Sequence, residues 1–134
     1  MDKLIIFSDG GARGNPGPAG TGAIIYNEDK QVVAEVSNFL GVATNNQAEY
    51  QALISALQKA VSLGAVEVAC YLDSELVVRQ LNREYKVKNK ELAPLFLQVY
   101  NLSLGFKKIS FHHIPREQNK EADRLANEAM DRGK

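Results

Sequence analysis

The chain has 134 residues, 45% of them apolar, with 16 basic and 16 acidic side chains that cancel to a formal net charge of zero. That is the size of one domain with enough apolar content for a core, and a single domain over residues 1–134 is expected. Neutrality excludes a mode of nucleic-acid binding that relies on bulk positive charge, so a polyanion would have to be met by a local patch.

Lys3 to Phe7 is a β-branched and apolar run that reads as a buried strand, and it stops at a carboxylate, Asp9. Gly10 to Gly20 is so rich in glycine and proline that it reads as a loop, where the backbone bends and something comes close. Asp9 is then either turn chemistry or a ligand delivered to an edge. Thr21 to Tyr26 and Gln31 to Gly41 read as strands joined by the polar turn Asn27 to Lys30, an antiparallel hairpin. The period then changes. From Asn46 to about Leu63, Leu53, Leu57, Ala60 and Val61 share one helical face, and Ala48, Ala52, Ala56 and Ala60 make a small-residue ridge suited to a sheet.

Glu67 to Leu72 is a further strand, again followed by a carboxylate, Asp73; Cys70 within it reads as a small buried residue. As the lone cysteine, it allows no internal disulfide and no cysteine metal cluster. Ser74 to Leu81 predicts a short helix. Asn82 to Lys90 is polar and basic, with Arg83, Lys86, Lys88 and Lys90. Leu92 to about Leu104 predicts a helix with Pro94 in its first turn, Lys107 to Ile114 a strand, Pro115 to Asn119 a short loop, and Lys120 to Met130 a helix striped by Ala122, Leu125, Ala126 and Ala129. No stretch has the length and apolarity of a membrane span, and no basic-then-apolar leader opens the chain. A cytoplasmic monomer with no membrane partner is expected.

The order βββαβααβα predicts an α/β protein with one mixed sheet and helices on its faces. In such sheets a site lies beyond the carboxyl ends of the parallel strands, which is where Asp9 and Asp73 arrive if their strands pair in parallel. Glu49, in the first turn of the long helix, and Asp123, in the first turn of the last, can reach the same end. Helix-dipole complementarity is one account of those two, but it does not explain the strand-end pair. Converging carboxylates repel unless a cation sits between them, and oxygen-only ligands suit Mg2+ or Mn2+. Such ions point to phosphate chemistry. No Gly-rich loop followed by Lys-Ser/Thr is present, and Gly10-Gly-Ala-Arg-Gly14 lacks the dinucleotide spacing.

Four segments together carry a resemblance. Asp9-Gly-Gly-Ala-Arg-Gly-Asn-Pro-Gly, Thr44-Asn-Asn-Gln-Ala-Glu49-Tyr, Leu72-Asp73-Ser74 and Pro115-Arg-Glu-Gln-Asn-Lys-Glu-Ala-Asp123-Arg-Leu-Ala-Asn resemble the four motifs of type 1 ribonuclease H, in family order and across essentially the whole chain. The resemblance implies a ribonuclease H-like fold, a five-stranded mixed sheet with helices on both faces. It implies cleavage of the RNA strand of an RNA–DNA hybrid, leaving 5′-phosphate and 3′-hydroxyl ends. Two ions, Mg2+ or Mn2+, would be held with substrate bound by Asp9, Glu49, Asp73 and Asp123, Asp9 touching both. It further implies substrate contacts from the backbone of Gly10, Gly11 and Ala12 and from Asn15, Asn45 and Asn46. Thr44 matches a position that contacts DNA phosphate, and also reads as a helix cap; Ser74 is a further hydroxyl candidate.

Two features depart from many family members. The adjacent His112 and His113 align with the family's loop histidine when counted back without gaps, which would give His113 an auxiliary role. Anchoring on Pro115 instead shortens the loop, places both histidines in the strand and leaves Arg116 or Glu117 in the loop; this alignment is preferred, and it resembles the archaeal-type and short bacterial form. The basic protrusion is also missing, so Lys86 and Lys88, with Lys90, are the residues expected to track the hybrid's DNA strand, against a reading as a solvated turn. Double-stranded RNA is left open as a second substrate. The alternatives are a non-catalytic binding module on the same fold and a transposase or exonuclease relative acting on another polynucleotide.

Overall fold

A computed structural model describes residues 2–133. Its elements are β1 (Lys3–Ala12), β2 (Gly17–Tyr26), β3 (Val32–Ala43), α1 (Asn45–Ser62), β4 (Glu67–Leu72), α2 (Glu75–Leu81), α3 (Ala93–Ser103), β5 (Lys108–His113), a 3-10 turn (Arg116–Gln118) and α4 (Lys120–Arg132). The strands form one sheet in the order β3-β2-β1-β4-β5. β1 pairs antiparallel with β2, and β2 with β3, whereas β4 runs parallel to both β1 and β5. The order of elements and the parallel pairing of the strands leading to Asp9 and Asp73 are as the sequence predicts. Among the described residues, no helix is long and apolar enough to cross a membrane.

Helix α1 starts where Thr44 and Gln47 form a capping box. The Gln47 N–H donates to Thr44 Oγ1 (3.1 Å), and the Thr44 N–H donates to Gln47 Oε1 (2.8 Å). The alanine ridge at Ala48, Ala52, Ala56 and Ala60 is fully buried against the sheet. Leu4, Ile6, Tyr50, Leu53, Leu57 and Val68 fill the core around it. Val61 is the exception on that predicted face: it is 47% exposed, because the apolar stripe narrows to Leu57 and Ala60 at the helix end.

The expected loop from Gly10 to Gly20 is instead mostly sheet. β1 continues through Gly10 and Gly11 to Ala12, β2 begins at Gly17, and only residues 13–16 turn. The physical reason is close approach of helix backbone. A Cβ on Gly10 would collide with the Ala48 carbonyl of α1, and one on Gly22 would collide with the Ala122 carbonyl and the Ala126 nitrogen of α4. Glycine at both positions lets two helices press on the two faces of the sheet, a use that at Gly10 reads from sequence as loop. Gly22→Ala is therefore expected to destabilise the protein by at least about 1–3 kcal/mol, since backbone atoms cannot step aside. A lower urea midpoint checks this; an unchanged one would contradict the contact.

β3 also runs further than predicted, to Ala43. It passes an irregularity where Ala19 and Gly20 pair with Gly41 and Phe39, and Gly41 takes a φ of +78° there. The face of β1 that carries Phe7 also presents a row of rings across four strands. Tyr26 meets Phe7 edge-on (5.9 Å), Phe7 stacks on Tyr71 (5.1 Å), and Tyr71 stacks on His112 (4.9 Å). Both histidines lie at the end of β5, as anchoring on Pro115 predicts.

Candidate metal and nucleic-acid site

β1 pairs with β4 only as far as Ser8, which lies opposite Leu72, the last residue of β4. Asp9 is the next residue on β1 and Asp73 the next after β4, so two carboxylates emerge side by side at the carboxyl ends of adjacent parallel strands. On its other side Asp9 stays paired with Gly22, so it lies inside a strand rather than at its end. Glu49 comes from α1. Because the helix starts at Asn45, Glu49 sits in the second turn rather than the first, and it is 6% exposed. Dipole complementarity at a first turn therefore does not account for it. Asp123 does lie in the first turn of α4, more open to solvent, with Arg116 Nη2 3.8 Å from its Oδ1.

Carboxylate oxygens of Asp9, Glu49 and Asp73 lie within 4.8 Å of one another. They line a cleft of about 370 Å³ together with Asp123. The crowding shows in their proton affinities. Asp9, 8% exposed, is pushed up to about 7, first by burial and then by the charges of Asp73 and Asp123, with the contact to Glu49 opposing. Burial, the contact with Asp9 and the charge of Asp73 push Glu49 well above the usual carboxylate range. Asp73 is raised by burial, while a hydrogen bond from Asn119 and the charge of Arg116 hold it back. The buried Glu49 Oε2 has no hydrogen-bond partner among the described residues. An all-oxygen cluster of mutually repelling acids with an unsatisfied buried oxygen fits a hard divalent cation of the Mg2+ or Mn2+ class.

Gly10, Gly11, Ala12, Asn45, Asn46, Ser74 and Arg116 also line this cleft. Asn45 ties it together: its Oδ1 accepts from the Ala12 N–H (2.8 Å), and its own N–H donates to Asn15 Oδ1 (3.0 Å). Asn15 thus braces the turn from outside the cleft lining. Thr44 serves as the α1 cap, and Ser74 caps α2 by accepting from the Val77 N–H (3.3 Å). Glu117, in the 3-10 turn, and the exposed His113 lie outside the cleft lining. His113 is still near enough for its charge to hold Asp73 down slightly. Lys86 and Lys88 lie between α2 and α3 and are not part of the cleft lining; Lys86 borders a separate groove with Arg83, Tyr85 and Phe96.

Sequence reasoning did not single out Asn119. It is 1% exposed, and its Nδ2 donates to the Ser8 carbonyl (2.9 Å) and to Asp73 Oδ2 (3.3 Å). From sequence it reads as the end of the loop Pro115 to Asn119, which says nothing of where its side chain goes; that side chain makes no cap bond to α4. Arg13, Asn127 and Met130 also line the cleft without having been expected there.

Residues 7–129 match the family model described as reverse transcriptase-like. The bifunctional protein Rv2228c of Mycobacterium tuberculosis is 49% identical over 130 residues, covering 96% of this chain and 36% of that protein. The ribonuclease HI of Halobacterium salinarum is 42% identical, over 96% of this chain and 65% of its own length. The solved N-terminal RNase H domain of the mycobacterial protein superposes with a TM-score of 0.94, covering 96% of this chain and 99% of that one. This chain belongs to the ribonuclease HI family. Another similar ribonuclease H structure, LC11-RNase H1 in complex with an RNA/DNA hybrid, is 45% identical with a TM-score of 0.92, covering 96% of this chain and 97% of that one. The ribonuclease HI fold is thus the five-stranded mixed sheet with helices on both faces that the motifs imply. This chain spans about a third of the mycobacterial relative's length and about two thirds of the halobacterial one's.

Proposed function

We propose that this ribonuclease HI domain is a metal-dependent endoribonuclease that hydrolyses the RNA strand of RNA–DNA hybrids, leaving 5′-phosphate and 3′-hydroxyl ends. The observation that carries this reading is the meeting of Asp9, Glu49 and Asp73 oxygens within 4.8 Å, in a cleft at the carboxyl ends of two parallel strands. The hybrid-bound structure of LC11-RNase H1 supports the choice of polynucleotide. Asp9, Glu49 and Asp73 would hold one Mg2+ or Mn2+, and Asp123, with Asp9, a second. When bound, such a pair of ions lowers the pKa of water to make a nucleophile and stabilises the leaving oxygen of an in-line displacement.

The chain's own groups would bind and orient. The backbone from Gly10 to Ala12 and the Asn45 and Asn46 side chains border the acids, where a 2′-hydroxyl, both donor and acceptor, distinguishes RNA from DNA. Asn15 keeps that border in place through Asn45. Lys86 and Lys88 would track the DNA strand's phosphates, and the Thr44 and Ser74 hydroxyls, although engaged as caps, would each add a contact to the hybrid. All four acids come from one chain, so a monomer suffices.

A substrate panel tests this reading: hybrid, double-stranded RNA and double-stranded DNA, each with Mg2+, Mn2+ or chelator. The expected result is cation-dependent cleavage of the hybrid's RNA strand, with 5′-phosphate products. Each phosphate that Lys86 or Lys88 neutralises should add about one unit to the slope of log KM against log salt, so KM for the hybrid should rise between roughly 50 and 200 mM salt. Hybrid binding without cleavage would instead indicate a binding module, and preferential cutting of DNA duplex a nuclease of another substrate class.

A further inference from the structure

Asn119 occupies the junction between the 3-10 turn and α4, and three elements meet on it. Its Nδ2 donates to the Ser8 carbonyl of β1 and to Asp73 Oδ2 beyond β4. Both partners are acceptors, so the amide can sit only one way round. Its backbone carbonyl accepts from the Asp123 N–H (3.1 Å), which opens the α4 ladder at the fourth acid. One residue therefore joins the neighbour of Asp9, Asp73 itself and the turn that carries Asp123. Among the described residues its buried Oδ1 has no partner. A residue kept only for packing would not leave such an oxygen unsatisfied, because an apolar side chain of the same shape avoids that cost.

We propose that Asn119 is a positioning residue for the acids of the cation site, an inference that rests on the reading of those acids given above. It anchors Asp73 through one carboxylate oxygen and leaves the other for the cation, and it sets the spacing of the Asp9, Asp73 and Asp123 backbones. The choice of an amide has a reason. A lysine or arginine in its place would also hold Asp73, but its charge would cancel the carboxylate's and compete with a divalent ion. A neutral donor orients the ligand and keeps its charge, as outer-shell partners of metal ligands do.

The test uses Mn2+ alone, titrated calorimetrically into the wild-type protein and Asn119→Ala, with hybrid cleavage measured in parallel. Mn2+ affinity is expected to fall by about 10- to 100-fold, with kcat reduced similarly and KM for the hybrid unchanged. A purely structural role would lower the melting temperature and leave Mn2+ affinity of the folded fraction alone. In an Asp73→Asn background, Asn119→Ala should cost far less Mn2+ affinity than it does alone, because the two act through one contact. If Asn119→Ala does not fold, the wild-type protein still decides: the Asn119 side-chain amide protons should be protected from exchange with and without Mg2+, and free exchange in the Mg2+ form overturns the proposal. Wild-type Mn2+ affinity and kcat in Asn119→Ala overturn it too while leaving the cation site standing. A wild-type protein that neither binds Mn2+ nor cleaves hybrid would overturn the reading beneath it.

Discussion

Asp9→Asn is expected to abolish cation-dependent cleavage of a hybrid while leaving the fold intact. The substitution keeps the shape of the side chain, and the backbone of residue 9 stays held by β2 opposite Gly22. What it removes is the charge at the point where Glu49 and Asp73 both converge. Because Asp9 would be shared between two ions, the loss should exceed the roughly 10- to 100-fold that follows from losing an outer-shell partner. Single-turnover cleavage at saturating Mg2+, alongside circular dichroism, checks both halves. Near-normal activity in this variant would sink the assignment of the site.

The second large effect concerns the cation-free protein, which should become less stable as pH rises from about 4 to about 7. The sign follows from proton binding. Folded Asp9 releases its proton at about 7, against an ordinary 3.8, so within that window the folded state binds more protons than the unfolded one. Raising the pH then favours unfolding, and the penalty is complete above about 7. Glu49 and Asp73 shift in the same direction. For Asp9 alone the penalty is on the order of a few kcal/mol. Asp9→Asn should therefore be more stable than wild type in chelator at pH 8 and nearly equal to it below pH 4. Adding Mg2+ to wild type at a hundredfold excess over its Kd should restore about 2.7 kcal/mol at pH 8. Urea unfolding of both proteins at the two pH values, with and without Mg2+, measures this. Equal stabilities at pH 8 would mean that the acids do not strain the fold.

Much of this was legible because hydrophobic period and chain order encode it. The strand runs ending near Asp9 and Asp73, the alanine ridge of α1 and the stripe of α4 each carry a local signal, and the parallel pairing that brings the acids together follows from a helix crossing between two strands. Gly10 was not legible as strand. It answers to helix backbone arriving from elsewhere in the chain, and no local rule separates that from a turn. Glu49 was placed one turn too early because the capping box at Thr44 extends α1 toward its start. Asn119 escaped because its partners, Ser8 and Asp73, are 111 and 46 residues away. The lysines were named as the basic residues present where the family's protrusion is missing, and neither resemblance nor charge gives a distance to the acids.

One property of β1 bears on how such a domain can drift. Among the described residues, the strand from Asp9 to Ala12 has β2 on one side and no strand on the other, since β4 has already ended. Asn45 takes the Ala12 N–H at the far end of that open stretch. A ligand laid along it would meet peptide groups as much as side chains, and peptide groups are common to every residue but proline. Mutation can erase a lysine or a histidine at the periphery, but it cannot delete a main chain. A substitution at the periphery therefore leaves this inner groove intact, whereas one at the acids or at close-packed Gly10 does not.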